Sequence, residues 1–136
     1  MKNLITVVFL ILVSFQSYCL TENLIYKDSE LVIATYYNAS TGQLEQELHF
    51  KDNMRNGEAT TWHENGQIKS VTNYKNDKAN GESFYWNEIG QLQEKNINKD
   101  GALVIATYYN ASTGQLEEEL HFKDNMRNGE ATTWHE

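Results

Sequence analysis

Along much of the chain, apolar and polar positions alternate with a period of two. In "LEQELHF", Leu44, Gln46, Leu48 and Phe50 share one face, and Glu45, Glu47 and His49 share the other. That alternation predicts a half-buried β-strand, because successive side chains of a strand point to opposite sides. "WHENGQIKSVTNY" sets Asn65-Gly66 between two short runs of β-branched and aromatic residues. Asn-Gly in that position predicts a hairpin with a type I′ turn, whose two central residues need positive φ. Stretches such as "KDNMRNG" and "KNDKANG" read as wider turns joining one hairpin to the next. The eight glycines fall at turns or at the starts of strands, and the chain has no proline.

The alternation is itself periodic. Gly42-Gln43, Gly66-Gln67, Gly90-Gln91 and Gly114-Gln115 are spaced 24 residues apart. Leu44, Ile68, Leu92 and Leu116 keep the same step, as do Lys51, Lys75, Lys99 and Lys123. A second glycine column runs through Gly57, Gly81 and Gly129, and an aromatic column through Phe50, Tyr74 and Phe122, with Asn98 interrupting it. The block from Leu31 to Glu64 returns from Leu103 to Glu136, 72 positions on, with the single change of Gln46 to Glu118. That displacement is three whole periods, so the copy falls in register with the repeat. The spacing of Gly90, Gly101 and Gly114 departs from the pattern and predicts a bulge or displaced turn near Asn98 to Ala102.

These features predict an all-β fold, an elongated single-layer antiparallel meander of tandem β-hairpins with a 24-residue repeat, preceded by an N-terminal signal-peptide helix. About four and a half hairpins would extend about 43 Å, at about 4.8 Å per strand. The expected divisions are a signal peptide over 1–19, a lead-in over 20–30 and the repeat domain over 31–136. The leader follows from Lys2 ahead of an apolar run from Leu4 to Val13, which is shorter than the roughly 20 residues that span a bilayer. The expected location is therefore exported: periplasm, cell envelope or extracellular. Cys19 is the single cysteine. Lipid attachment there fits less well than cleavage after it, because Gln16 and Tyr18 depart from the lipoprotein pattern. Cleavage would leave a mature chain without disulfides, held by packing and strand pairing.

Without Lys2, ten basic residues stand against nineteen acidic ones, a net charge of −9. A surface of that sign repels phosphate, so neither nucleic acid nor an anionic membrane surface is an expected partner.

Gly57, Trp62, Asn65, Gly66 and Tyr74 in one unit, and Gly81, Trp86, Gly90 and Leu92 in the next, resemble the MORN-variant repeat. The resemblance covers roughly 31–136 and departs from the pattern at Ile89 and Asn98. It implies tandem hairpins and a role in protein–protein interaction or scaffolding. Bacterial proteins of this kind often carry the label of antitoxin component of a toxin–antitoxin pair, which makes neutralisation of a partner toxin the alternative function. A cytosolic antitoxin would not need a leader.

Candidate chemistry is sparse. Glu45, Glu47 and His49, with their copies Glu117, Glu119 and His121, could offer metal ligands from alternate strand positions. The two sets would lie about 29 Å apart, three hairpins of two strands each. The columns between them supply Lys69, Val71, Asn73, Gln93, Lys95 and Ile97. A solvated polar face is the reading adopted, with a metal- or glycan-binding surface as a further alternative. His63 and His135 have no nucleophile and oriented partner with which to form a catalytic set. No catalytic, cofactor-binding or metal residues and no cofactor are expected, and the chain reads as a non-enzyme. Trp62, Phe84, Tyr85, Trp86 and Trp134 form the candidate interaction surface, although such residues also serve as ladders between hairpins. Asn38-Ala39-Ser40 and Asn110-Ala111-Ser112 have the form of glycosylation sequons but read as turns. The last strand, about Glu130 to His135, is expected to lack a partner in the chain, and that edge could pair with a second copy.

Overall fold

The computed structural model describes residues 20–124, 126–129 and 131–134. The expected leader, with Cys19, lies outside them. Every described element is a strand. They are β1 (Leu20–Lys27), β2 (Glu30–Asn38), β3 (Leu44–Lys51), β4 (Met54–Trp62), β5 (Ile68–Lys75), β6 (Lys78–Trp86), β7 (Leu92–Lys99), β8 (Ala102–Tyr109), β9 (Leu116–Lys123), β10 (Met126–Arg127) and β11 (Thr132–Thr133). Neighbours in sequence are neighbours in space from β1 to β10, each pair antiparallel, and β11 pairs with β9 beside β10. The fold is the expected open meander of hairpins. It begins earlier than expected, since residues of the lead-in form β1 and pair along the length of β2.

The turns exchange the roles assigned to them from sequence. The tight two-residue turns are Asp28-Ser29, Asp52-Asn53, Asn76-Asp77 and Asp100-Gly101, where both central residues have positive φ, as a type I′ turn requires. Asn and Asp tolerate that left-handed region better than other side chains. Gly66 has φ 84° whereas Asn65 is not left-handed. The Gly66 N–H donates to the His63 carbonyl at 2.9 Å and the His63 N–H to the Gln67 carbonyl at 2.8 Å. This is a three-residue loop ending in a left-handed glycine, the next commonest hairpin closure after the two-residue turns. Gly57 and Gly81 lie within β4 and β6 with φ 107° and 102°, opposite interruptions in the ladder, so they are bulge residues and not turn residues.

The bulges and loops trade residues. β2 carries one residue more than β1 across their register shift, and β8 one more than β7. β4 and β6 each carry two more than β3 and β5. The loops that follow differ in the opposite sense. Those closed by Asn38 with Gln43 and by Asn110 with Gln115 hold one residue more than those closed by His63 with Gln67 and by Asn87 with Gln91. The two differences cancel, and each tight turn stays 24 residues from the last. The irregularity expected near Asn98 is this shorter bulge, at Ile97/Asn98. Gly101 does not displace a turn; it occupies the tight-turn position of Ser29, Asn53 and Asp77.

The interior is thin. Leu24, Ala34, Leu48, Ala59, Thr72, Ser83, Asn96, Ala106 and Leu120 lie side by side across the sheet. Larger residues stand on odd-numbered strands and small ones on even-numbered strands, and the small ones are covered: Ala34, Ser83 and Ala106 are 0% exposed. Among the described residues the buried hydrophobics are all alanine and the largest fully buried side chain is a serine. With no second layer among these residues, the stabilisation rests on the backbone ladders and on cross-strand side-chain pairs of roughly 0.2–1 kcal/mol each. Asn96 fits the row least well. Its amide nitrogen donates to Glu94 at 2.7 Å, but its buried carbonyl oxygen has no partner, at a cost of roughly 1–3 kcal/mol.

Candidate interaction surface

Register divides the aromatic candidates between the two faces. Phe84 and Trp86, two apart on β6, share a face and stack with centroids 5.8 Å apart and planes at 26°. Tyr85 between them belongs to the opposite face and is 37% exposed. Val71 and Lys95 flank Phe84 on the neighbouring strands. The Lys95 ammonium lies 5.6 Å from the centre of the Phe84 ring and 2.6 Å from the Glu82 carboxylate, which raises the lysine above its ordinary pKa. Trp62 ends β4, two strands from β6, or about 9.6 Å. Trp134 follows β11 and is 45% exposed. The register thus puts Trp62 on the same face as the stacked Phe84–Trp86 pair and its lysine, with Tyr85 on the other.

The polar columns are engaged locally. His49 and Glu47 meet at 3.1 Å, and His121 and Glu119 at 3.0 Å. Glu45 and Glu117 stand at register shifts where β3 and β9 each carry an extra residue, and their carboxylates accept from Asn38 at 2.8 Å and Asn110 at 2.6 Å. The alternation that would have aligned three ligands is interrupted at its first member. Among the described residues no three acidic, histidine or cysteine side chains converge as a metal site.

Side chains also stitch each hairpin to the next. The Arg55 N–H and its Nε donate to Asp77 Oδ1 at 2.9 and 3.1 Å, Nη2 donates to the Asp77 carbonyl at 3.0 Å, and the guanidinium lies 4.3 Å from the centre of the Tyr74 ring. The backbone and side-chain bonds from Arg55 hold the exposed Asp77 carboxyl below its ordinary pKa. At the other end of the strands, Gln43 Nε2 donates to the His63 carbonyl, the His63 ring meets the Trp86 carbonyl at 2.8 Å, and Asn65 donates to the Glu88 carbonyl. His63 is therefore a clasp between loops. Sequence gave no sign of the Arg55–Asp77 clamp beyond the complementary charges 22 residues apart, just short of one period.

Between the β2–β3 and β4–β5 loops lies a groove of about 850 Å³, with Tyr36, Asn38, Glu45, Gln46, Trp62 and Lys69 among its lining. Burial, reinforced by Glu22, raises the Tyr36 phenol above its ordinary pKa. Sequence reading missed the groove because its walls are loops from successive units. The usable signal was "NASTGQ", one residue longer than the turn after β4.

No curated protein matches the chain. The solved structures similar to it include a crystal structure of TarM, at 11% identity and a TM-score of 0.48, and a mutant of S. aureus TarM in complex with Fondaparinux, alpha-GlcNAc-glycerol and UDP, at 10% identity and a TM-score of 0.48. The alignments cover 82% and 70% of this chain but 20% and 19% of those, so the chain spans about a fifth of their length. Residues 55–76, which run from the Arg55 clamp through the Asn65-Gly66 loop to the following tight turn, match the family described as MORN repeat variant. The match supports reading the hairpin at residues 55–76 as a MORN-variant repeat unit.

Proposed function

We propose that the protein is a non-enzymatic, exported repeat protein that holds a protein partner on its sheet, as an interaction or scaffolding platform. The observation that carries this reading is the stacked Phe84–Trp86 pair, with the Lys95–Glu82 ion pair beside it, on a sheet with no covering layer among the described residues. Aromatic side chains ringed by charged ones supply large contact area together with polar selectivity. Repeats of this type are generally linked to protein or membrane binding. The acidic balance favours a protein over an anionic bilayer.

The test is affinity capture from the native envelope with the full chain as bait, in parallel with Phe84→Ala/Trp86→Ala and Tyr85→Ala variants. A partner retained by the wild type and lost from the double variant supports the reading. Equal retention by all three defeats it. Export is checked separately by sequencing the N-terminus of the protein recovered outside the cytoplasm.

A further inference from the structure

The face opposite the Phe84–Trp86 pair carries a row of different chemistry. Strand register makes Tyr85, Glu94, Tyr108 and Glu118 direct neighbours across β6 to β9. The same row holds Glu22, Tyr36 and Gln46 on β1 to β3. These three stand 72 positions before Glu94, Tyr108 and Glu118, so the one substitution between the two copies falls in this row. Tyr85 and Tyr108 are two strand spacings apart, about 9.6 Å, with Glu94 between them, and Glu118 is about 14 Å from Tyr85. Among the described residues neither ring stacks on another, and Tyr85 is 37% exposed.

This group has acceptors and negative charge in surplus. Among the described residues the Glu94 carboxylate accepts from Asn96 at 2.7 Å and pairs with no cation. Lys95 follows Glu94 in sequence but belongs to the other face, where it meets Glu82. Asn96, on the same face as Glu94 and 8% exposed, spends its amide nitrogen on that carboxylate, and its buried carbonyl oxygen accepts from nothing. Burial, with Glu94 and Glu118 beside it, raises the Tyr108 phenol above its ordinary pKa, as a negative surrounding does. Glu118 accepts from Arg127 at 3.2 Å, an exposed pair that solvent screens and a competing cation can displace.

A carboxylate set between two open phenol rings suits a ligand that is flat, cationic and rich in N–H donors. A guanidinium has all three properties: it pairs with a carboxylate through two parallel N–H groups and lies flat on an aromatic ring. A metal ion is not matched, since among the described residues no three acidic, histidine or cysteine side chains converge. We propose that Tyr85, Glu94, Tyr108 and Glu118 form a docking site for an arginine-rich segment of a protein partner, with one guanidinium on Glu94 between the two tyrosines and a second basic group at Glu118. The first copy is the weaker counterpart. Gln46 replaces the second carboxylate there, and among the described residues no strand supplies a tyrosine on the outer side of Glu22.

The experiment titrates the full chain with hexa-arginine and with hexalysine at physiological ionic strength, following the heat of binding. Hexa-arginine is expected to bind, and more tightly than hexalysine. Glu94→Gln keeps an acceptor for Asn96 and should weaken hexa-arginine about tenfold or more, corresponding to about 1.4 kcal/mol. Tyr85→Leu and Glu118→Gln should each weaken it about threefold. Glu58→Gln removes the same charge from the opposite face, beside Asn73, and should leave affinity within about twofold. Tyr85 is exposed, so its variant reports on the site even where Glu94→Gln disturbs folding. Failure of hexa-arginine to bind overturns the proposal, as does binding that neither Glu94→Gln nor Tyr85→Leu weakens. Equal weakening by Glu94→Gln and Glu58→Gln also overturns it, in favour of net charge alone. Equal affinity for hexalysine overturns the guanidinium assignment and the proposal with it. None of these outcomes depends on the Phe84–Trp86 face.

Discussion

The two copies of the 34-residue block share all but one residue and do not share one structure. Their first halves agree closely: Ala34 and Ala106 are both 0% exposed, and Thr35 and Thr107 are 7% and 8% exposed. Their second halves diverge. In the first copy Met54–Trp62 is one continuous strand, with β5 alongside. In the second, the described residues of the matching segment give two short strands, β10 (Met126–Arg127) and β11 (Thr132–Thr133), with no described strand on their outer side. Arg55 clamps Asp77 of the following turn, whereas Arg127 turns back to Glu118. Strand propensity depends on the neighbouring strand as well as on the residues themselves, so identical segments need not form identical strands.

The sharpest way to break this comparison is to equalise the neighbours. Appending a copy of residues 65–86 after Glu136 should convert β10 and β11 into one strand. Amide exchange of Ala131 to Trp134 should then slow about tenfold or more, the mark of a segment moved from a fraying edge into a ladder. Unchanged exchange would mean that the neighbour is not the cause. A smaller effect separates the buried row from its copy. Ala59→Leu, in a position 8% exposed, should cost about 1–3 kcal/mol by overpacking, while Ala131→Leu, half-exposed, should cost under about 1 kcal/mol, both read from denaturant midpoints.

The bulge glycines come next. Gly57 has φ 107°, and a β-carbon there would meet the His49 β-carbon at 3.4 Å; Gly129 has φ 96° and open space. Both alanine variants carry the roughly 1–2 kcal/mol of left-handed strain, and because a β-carbon at Gly57 makes only ordinary contact with His49, the two should differ by less than about 0.5 kcal/mol in denaturant midpoints. The smallest effects concern the two arginine partners. Because Asp77 titrates below its ordinary value when folded, its stabilisation is present above about 3.8 and is lost as pH falls through the depressed folded value. Asp77→Asn should flatten that acid limb in thermal melts, whereas Glu118→Gln, which restores the residue of the first copy, should change the unfolding free energy by no more than about 1 kcal/mol.

Much of this was legible. The 24-residue step and the antiparallel hairpins follow from alternation and spacing alone, whereas Tyr85 was grouped with Phe84 and Trp86 although the same alternation puts it on the other face. The turn types did not, because Asn-Gly serves a type I′ turn and a glycine-terminated three-residue loop equally well. The ladder count decides between them, and that count depends on the bulges at Gly57 and Gly81. Ile89 illustrates the same point from the other side. The expected Asn is missing before Gly90, yet the loop closes, because Asn87 accepts from the Ile89 and Gln91 N–H groups. The candidate site was less legible. Glu45 stood out as a ligand, but its role in a groove wall depends on a register shift and on a loop outside its own strand.

The exchange of residues between bulge and loop constrains how such a chain can evolve. A lone deletion beside Gly57 would turn every later side chain of that strand over, bringing Thr61 to the side of Trp62. Insertions and losses should therefore survive in compensating pairs, one at each end of a strand, so that relatives of uneven length can still share a common meter.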